Sequence, residues 1–105
     1  MARQPVEFAL TAIPGAYVID SLTNPPLTVH RGQKVTFDLS VTGHPFYLQT
    51  TGNGYVPANV YSEGFTGNGE TTGRFEWIVP EEAPDELFYQ CEFHPVMFGK
   101  IIVLE

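Results

Sequence analysis

The alternation of apolar and polar residues along the chain predicts short β-strands rather than helices. Residues 35–41 and 74–79 alternate with a period of two, which is typical of a strand with one buried and one wet face. Shorter extended runs, bounded by glycine and proline turns, complete the pattern. These runs cover residues 6–10, 16–19, 27–29, 86–91 and 100–104. The pattern predicts an all-β fold, a Greek-key β-sandwich or barrel of about seven to eight strands.

The size and composition of the chain predict one globular domain over residues 1–105. The length is near the usual size of a domain, about 100–150 residues. A hydrophobic content of 43% and an aromatic content of 13% favour a packed core over disorder. There is no apolar run of about 18 residues and no signal peptide behind Met1, so we expect either a cytoplasmic protein or a processed or excised domain.

The net charge narrows the range of partners. Twelve acidic and five basic residues give a formal charge of −7. Nucleic acid and anionic membranes attract clustered lysine and arginine, so neither is expected to be a partner, and no membrane insertion is expected. A basic protein partner is compatible with this charge, and so is simple solubility, which is the commoner reason for it.

Residues 50–73 are rich in glycine and show little periodicity. They predict a long loop with, at most, a short strand or helical turn near Val60 and Tyr61. Loops of this length are uncommon unless they serve a site.

The chemistry of the chain is concentrated in residues 89–105. Cys91 is the only cysteine, Met97 is the only methionine after Met1, and His94 lies between them. The spacing is Cys-x2-His-x2-Met, followed by a strand-like run. A thiolate, an imidazole and a weak thioether suit copper in both oxidation states. This segment therefore predicts a site for one copper ion that passes one electron at a time.

A copper electron-transfer site needs a second imidazole, which only His44 or His30 can supply. His44 follows a predicted strand in an apolar context, where burial would keep its imidazole neutral, as a ligand must be. His30 lies beside Arg31 at a polar turn and is expected to be solvated. His44 is therefore the favoured fourth ligand.

Each of these residues also has an ordinary explanation. A lone cysteine or methionine is usually a core residue, and a histidine next to proline is usually a turn residue. Their coincidence in one short loop favours a metal site. Zinc is the main rival metal, but it rarely takes a thioether, and Glu92 would point to the opposite face of the strand from Cys91.

The loop Cys91-Glu92-Phe93-His94-Pro95-Val96-Met97-Phe98-Gly99-Lys100, with Tyr89 before it, resembles the ligand loop of the cupredoxins. These are the small blue, or type 1, copper proteins, and within them the loop is most like those of amicyanins and plastocyanins. The similarity is strong over residues 86–105 and weak elsewhere. It implies that His44, Cys91 and His94 are equatorial copper ligands and that Met97 is the long axial ligand.

The resemblance also implies a function and a location. The chain would carry single electrons between redox partners in the periplasm or another extracytoplasmic space, as a monomer and not as an enzyme. The alternatives are a copper storage or delivery protein, a domain of a larger extracytoplasmic protein in which copper is vestigial, and a mononuclear copper enzyme with an open site.

Two positions depart from the family pattern. Pro45 replaces the asparagine that usually ties the two ligand loops together. Phe93 replaces a proline and so retains an N–H group, and a hydrogen bond from it to the Cys91 thiolate would raise the reduction potential.

The expected electron port is the outer edge of His94, where redox partners would dock transiently. An exposed apolar rim around this edge would suit brief docking. The sequence predicts that this rim is formed by Pro45, Phe46, Pro95, Val96 and Phe98.

Overall fold

The computed structural model describes residues 3–105 as nine β-strands and one short 3-10 helix. The strands are β1 (Val6–Ile13), β2 (Ala16–Ile19), β3 (Leu22–Thr23), β4 (Leu27–His30), β5 (Lys34–Ser40), β6 (Phe46–Gln49), β7 (Thr72–Ile78), β8 (Glu86–Cys91) and β9 (Phe98–Leu104). The helix spans Pro57–Asn59. The all-β prediction is confirmed, and the number of strands roughly matches the seven to eight expected.

The strands form two mixed sheets. One has five strands in the order β3-β2-β1-β5-β7, and the other has four in the order β4-β9-β8-β6. The β1–β5 and β4–β9 pairs are parallel, and the other pairs are antiparallel. Residues 3–105 contain no helix with the length and hydrophobicity that a membrane span requires.

Large aromatic side chains from both sheets meet in the core. Phe46 and Tyr89 of the four-stranded sheet contact Tyr17 of β2, with ring centroids 5.7 and 5.8 Å from it. Phe37 of β5 lies 5.1 Å from Phe46. These four rings are completely buried, so they fix how the two sheets face each other.

The glycine-rich segment covers the outer edge of β6. Gly69 and Tyr61 donate backbone N–H bonds to the carbonyls of Phe46 and Leu48, at 2.7 and 2.8 Å. Leu48 donates its N–H to the side-chain oxygen of Asn68 at 2.8 Å. The segment therefore supplies hydrogen-bond partners to backbone groups of β6 that would otherwise be unpaired at the edge of the sheet. Its one helical turn lies just before Val60, close to where the sequence predicts it.

Candidate metal centre

His44, Cys91 and His94 form one cluster. The Cys91 Sγ atom lies 3.7 Å from Nδ1 of His44 and 3.6 Å from Nδ1 of His94. The two imidazole rings are 5.0 Å apart between centroids. Cys91 is completely buried, and both histidines are half-buried. Among residues 3–105, these three side chains are the one His, Cys, Asp or Glu cluster with the spacing to hold a metal ion.

Strand pairing brings the two ligand segments together. Phe46, the first residue of β6, is the antiparallel partner of Cys91, the last residue of β8. His44 precedes β6 by two residues, after a turn in which Gly43 has a φ of 87°. Its N–H group donates to the Val41 carbonyl at 2.8 Å. Glycine suits this turn because other residues rarely adopt such a φ. The register therefore places His44 beside Cys91 although 47 residues separate them.

Residues 92–97 form a tight loop that returns to the core. Met97 donates its N–H to the His94 carbonyl at 3.0 Å, and Cys91 donates its N–H to the Met97 carbonyl at 2.9 Å. The Met97 side chain is completely buried and belongs to the same apolar cluster as Cys91. The side chains of three predicted ligands, His44, Cys91 and His94, therefore lie close together. The backbone of the fourth, Met97, is hydrogen-bonded to Cys91 and His94. Their role as metal ligands stays a prediction.

The donor set fits a metal ion. Metal–sulfur and metal–nitrogen bonds of about 2.3 and 2.0 Å, joined at an angle between tetrahedral and trigonal, separate sulfur from nitrogen by about 3.5–3.7 Å. The distances from Sγ to the two Nδ1 atoms are 3.7 and 3.6 Å. In both histidines the ring atom closest to Sγ is Nδ1, so the two Nδ1 atoms are presented to one shared position. One thiolate, two imidazoles and a nearby thioether suit copper better than zinc.

His30, the rejected alternative ligand, lies outside this cluster. Its Nδ1 atom is 2.9 Å from the Glu105 carbonyl oxygen. Its backbone N–H donates to the side-chain oxygen of Gln33 at 2.9 Å. These contacts belong to the β4–β5 turn and to the end of the chain.

Tyr17 supplies a tie where the family has asparagine. Its hydroxyl donates toward the carbonyls of His44 and Pro45, at 2.8 and 3.1 Å. Glu92 adds a backbone N–H bond to the Pro45 carbonyl at 3.1 Å. Burial raises the pKa of the Tyr17 phenol, and Cys91 is the next cause, so the hydroxyl keeps the proton that it donates. The His44 segment is thus held from the opposite sheet and from the Cys91 loop.

Tyr17→Phe should loosen the His44 segment. It removes the hydroxyl donor from the His44 carbonyl and leaves the Pro45 carbonyl with the Glu92 N–H alone. We therefore expect the free energy of unfolding to fall by about 1–3 kcal/mol and the His44 ring resonances to shift. Denaturant titration and NMR of the metal-free protein measure these effects. Tyr89→Phe is the control, because its hydroxyl donates to the Pro25 carbonyl at 2.6 Å. Equal shifts of His44 in both variants would contradict the proposed tie.

The predicted apolar rim is wrong at Phe46. This side chain is completely buried among core rings, because strand pairing turns it inward opposite Cys91. Phe93, which was not predicted in the rim, is 62% exposed, and Val96 is 66% exposed. Pro95 is also exposed, whereas Pro45 and Phe98 are half-buried and contribute less surface. The apolar surface beside His94 therefore consists mainly of Phe93, Pro95 and Val96.

The hydrogen bond considered for Phe93 is not formed. Among the hydrogen bonds of residues 3–105, none joins the Phe93 N–H group to Cys91 Sγ. The contacts of Cys91 Sγ are with the two histidine nitrogens. An increase in reduction potential from a Phe93 hydrogen bond is therefore not expected.

Two mixed sheets in this order, with a histidine before β6 and a Cys-x2-His-x2-Met loop between β8 and β9, make up the cupredoxin fold. The solved structures that the chain resembles include several of rusticyanin. Reduced rusticyanin superposes with a TM-score of 0.71 at 24% identity, over 98% of this chain and 81% of that one. A structure described as the copper protein rusticyanin gives a TM-score of 0.70 at 23% identity, over 92% and 76% of the two chains.

Rusticyanin from Thiobacillus ferrooxidans superposes with a TM-score of 0.67 at 23% identity, over 92% of this chain and 75% of that one. No protein-family model matches the sequence, and no curated protein does. At these identities the likeness shows the fold alone.

Proposed function

We propose that this protein is a mononuclear type 1 copper protein that carries single electrons between redox partners. The observation that carries the proposal is the convergence of both Nδ1 atoms on Cys91 Sγ, at 3.7 and 3.6 Å. His44, Cys91 and His94 would be the equatorial ligands, and the buried Met97 would be the axial one. The shared fold with a copper protein supports the same conclusion.

Copper, when bound, would supply the one-electron couple, and the chain would supply a fixed set of ligands. The thiolate lies at the end of a strand, and the two histidines lie on segments that are hydrogen-bonded to each other. Ligands that barely move between oxidation states keep the barrier to electron transfer low. Complete burial of Cys91 and Met97 excludes water from that side of the site. This arrangement suits electron transfer better than substrate chemistry.

Titration of the metal-free protein with cupric ion tests the proposal. We expect uptake of one copper, an intense absorption band toward the red end of the visible spectrum, and reversible one-electron reduction. A colourless protein that prefers zinc would contradict the proposal. Tight copper uptake with slow self-exchange would indicate storage or delivery, and ready ligand exchange with azide would indicate an open, enzyme-like site.

The proposed electron port is the edge of His94 beside Phe93, Pro95 and Val96. His94 is half-buried, and its three neighbours are exposed and apolar. A small apolar surface favours complexes that form and separate quickly. We propose that redox partners dock here, and that the protein acts as a monomer in an extracytoplasmic space.

Val96→Glu should slow electron self-exchange by about tenfold or more, which is within the usual range of association rates among variants of one interface. Two copies would have to bring the new carboxylates together at the port. The absorption spectrum of the variant should not change, because Val96 is 66% exposed and is not a predicted ligand. Exchange broadening in NMR of mixed oxidation states measures the rate.

Ile78→Glu is the matched control for Val96→Glu. Ile78 is 53% exposed and pairs with Lys34 at one end of the β5–β7 strand pair. The opposite end, where Ser40 pairs with Thr72, is the end from which the chain continues to His44. Ile78→Glu therefore adds the same charge at the far end of the pair. If both variants slow exchange equally, net charge is the cause and the port lies elsewhere.

A further inference from the structure

Two glutamines of the four-stranded sheet are completely buried. Gln49 ends β6, and Gln90 lies in β8 directly before Cys91. Their strand neighbours Leu48, Tyr89 and Cys91 belong to the core cluster. Alternation along the strands turns the glutamines to the other face of the sheet, where the segment around Gly54 covers them. A buried carboxamide is costly unless it is hydrogen-bonded, so the partners of each one are informative.

The Gln90 carboxamide contacts the backbone of the ligand loop at three carbonyl groups. Its Nε2 atom lies 3.0 Å from the Cys91 carbonyl oxygen and 3.2 Å from the carbonyl oxygens of both His94 and Pro95. Its Oε1 atom accepts the Gly54 N–H at 2.9 Å. Carbonyl oxygens only accept, so the amide nitrogen must face them, and its two hydrogens are shared among three acceptors. One side chain thus spans residues 91–95 and joins them to Gly54.

Gln49 has the same chemistry but a different set of partners. Its Nε2 atom donates to the carbonyls of Thr51 and Gly54, at 2.8 and 3.0 Å. Its Oε1 atom accepts the Val56 N–H at 2.8 Å. Gln49 therefore fixes the 51–56 segment on which Gln90 rests, and it makes no hydrogen bond to residues 91–97.

The ligand loop has few other restraints on its backbone. The Met97 N–H bond to the His94 carbonyl and the Cys91 N–H bond to the Met97 carbonyl close the loop, and the Glu92 N–H bond to the Pro45 carbonyl holds its first residues. The side-chain amide of Asn24 reaches the Val96 carbonyl only at 3.5 Å. Gln90 is the side chain that grips the carbonyls of both His94 and Pro95, so it governs the peptide units that set the direction of the His94 ring.

We propose that Gln90 is a positioning residue of the metal centre. Its carboxamide fixes the backbone from Cys91 to Pro95 and thereby holds His94 Nδ1 toward Cys91 Sγ before any metal binds. Partners that orient metal ligands in this way affect metal affinity and redox properties. The effect on copper rests on the proposed function, whereas the effect on the loop does not.

Hydrogen exchange of the metal-free protein tests the loop directly. Gln90→Met removes the donors and the acceptor while nearly keeping the volume. We expect the Met97 amide, which donates to the His94 carbonyl, to exchange about tenfold faster relative to the Ile101 amide of β9, as expected when one buried hydrogen bond is lost. Gln49→Met should change this ratio much less, because Gln49 acts on the loop only through the 51–56 segment. Equal acceleration in both variants would overturn the proposal.

The copper-loaded protein gives a second readout. Wild type and variants are compared under conditions in which their free energies of unfolding are equal. Gln90→Met should release copper to a chelator about tenfold faster, within the usual range for loss of a partner that orients a ligand. It should also slow electron self-exchange, whereas Gln49→Met should show much smaller changes in both respects. If wild-type protein forms no thiolate–copper band, the proposed function fails and the hydrogen-exchange result still decides the role of Gln90. If the band forms and the two variants behave alike, only the role of Gln90 fails.

A variant that cannot fold does not leave the proposal undecided. In the wild-type protein, both Gln90 side-chain N–H protons should exchange with solvent far more slowly than those of an exposed carboxamide, because both are held by buried carbonyls. Rapid exchange of either proton would overturn the proposal. Gln90→Asn keeps the carboxamide but shortens the side chain by one methylene, and it should reproduce the faster Met97 exchange in a milder variant.

Discussion

Replacing Cys91 with serine should abolish the intense visible band of the copper-loaded protein and weaken copper binding by more than about 100-fold. Even the loss of a side chain that merely orients a ligand costs about 10–100-fold in metal affinity, and this change would remove the proposed thiolate ligand itself. Cys91 Sγ is the atom that both Nδ1 atoms approach, so no other donor can replace it. Spectrophotometric titration with cupric ion and competition against a chelator measure the two effects.

Met97→Leu is the matched control for Cys91→Ser. It also replaces a completely buried residue of the ligand loop, but leucine keeps the apolar volume. The visible band should survive, because it arises from the thiolate, and the reduction potential should rise, because the cupric state loses a weak donor. If Cys91→Ser retained the band, or if Met97→Leu lost it, the assignment of the thiolate as the dominant ligand would be wrong.

The strands were predictable where apolar and polar residues alternate, as in β5 and β7, or where a short apolar run lies between turn residues, as in β2 and β8. Residues 16–19 and 86–91 coincide with β2 and β8, and residues 35–41 and 74–79 lie within one or two residues of β5 and β7. The predicted first strand ends at residue 10, but β1 continues to Ile13. Its last three residues pair with β2 across the turn at Pro14 and Gly15, so pairing outlasts the local pattern.

Strand β3 was missed because its turn carries an unusual sequence. Ile19 pairs with Leu22 around a two-residue loop, in which Asp20 and Ser21 have φ angles of 51° and 67°. Such hairpin turns usually contain asparagine or glycine, which tolerate positive φ. Because this signal is absent and the strand has only two residues, the residue pattern does not predict a strand there.

The candidate ligands were predictable from chemistry, but the groups around them were not. Cys91, His94 and Met97 share one loop, so their proximity is local in sequence. Tyr17 reaches His44 from the opposite sheet, and Gln90 acts through backbone carbonyls rather than through a motif. Two buried carboxamides in neighbouring strands are a signal only after the pairing of β6 with β8 is known. Non-local packing therefore decides the surroundings of the site.

Phe46→Ala should lower the free energy of unfolding of the metal-free protein by about 3–5 kcal/mol, the usual cost of removing a buried phenylalanine ring. The Phe46 ring is completely buried, and its centroid lies 5.1 Å from that of Phe37 and 5.7 Å from that of Tyr17. Truncation opens a cavity between the two sheets, and the hydrogen-bonded strands on either side cannot move together to fill it. Guanidinium titration measures the loss, which is large against a total stability of about 5–15 kcal/mol.

Phe93→Ala is the control for Phe46→Ala, because the Phe93 ring is 62% exposed. We expect it to change the free energy of unfolding by no more than about 0.5 kcal/mol. Both titrations must use metal-free protein, since copper would stabilise the folded state of each variant according to its own affinity. The contrast distinguishes Phe46, which joins the two sheets, from Phe93, which is exposed at the proposed electron port. A loss below about 1 kcal/mol for Phe46→Ala, far under the usual cost of a buried ring, would return Phe46 to the apolar rim and contradict its place in the core.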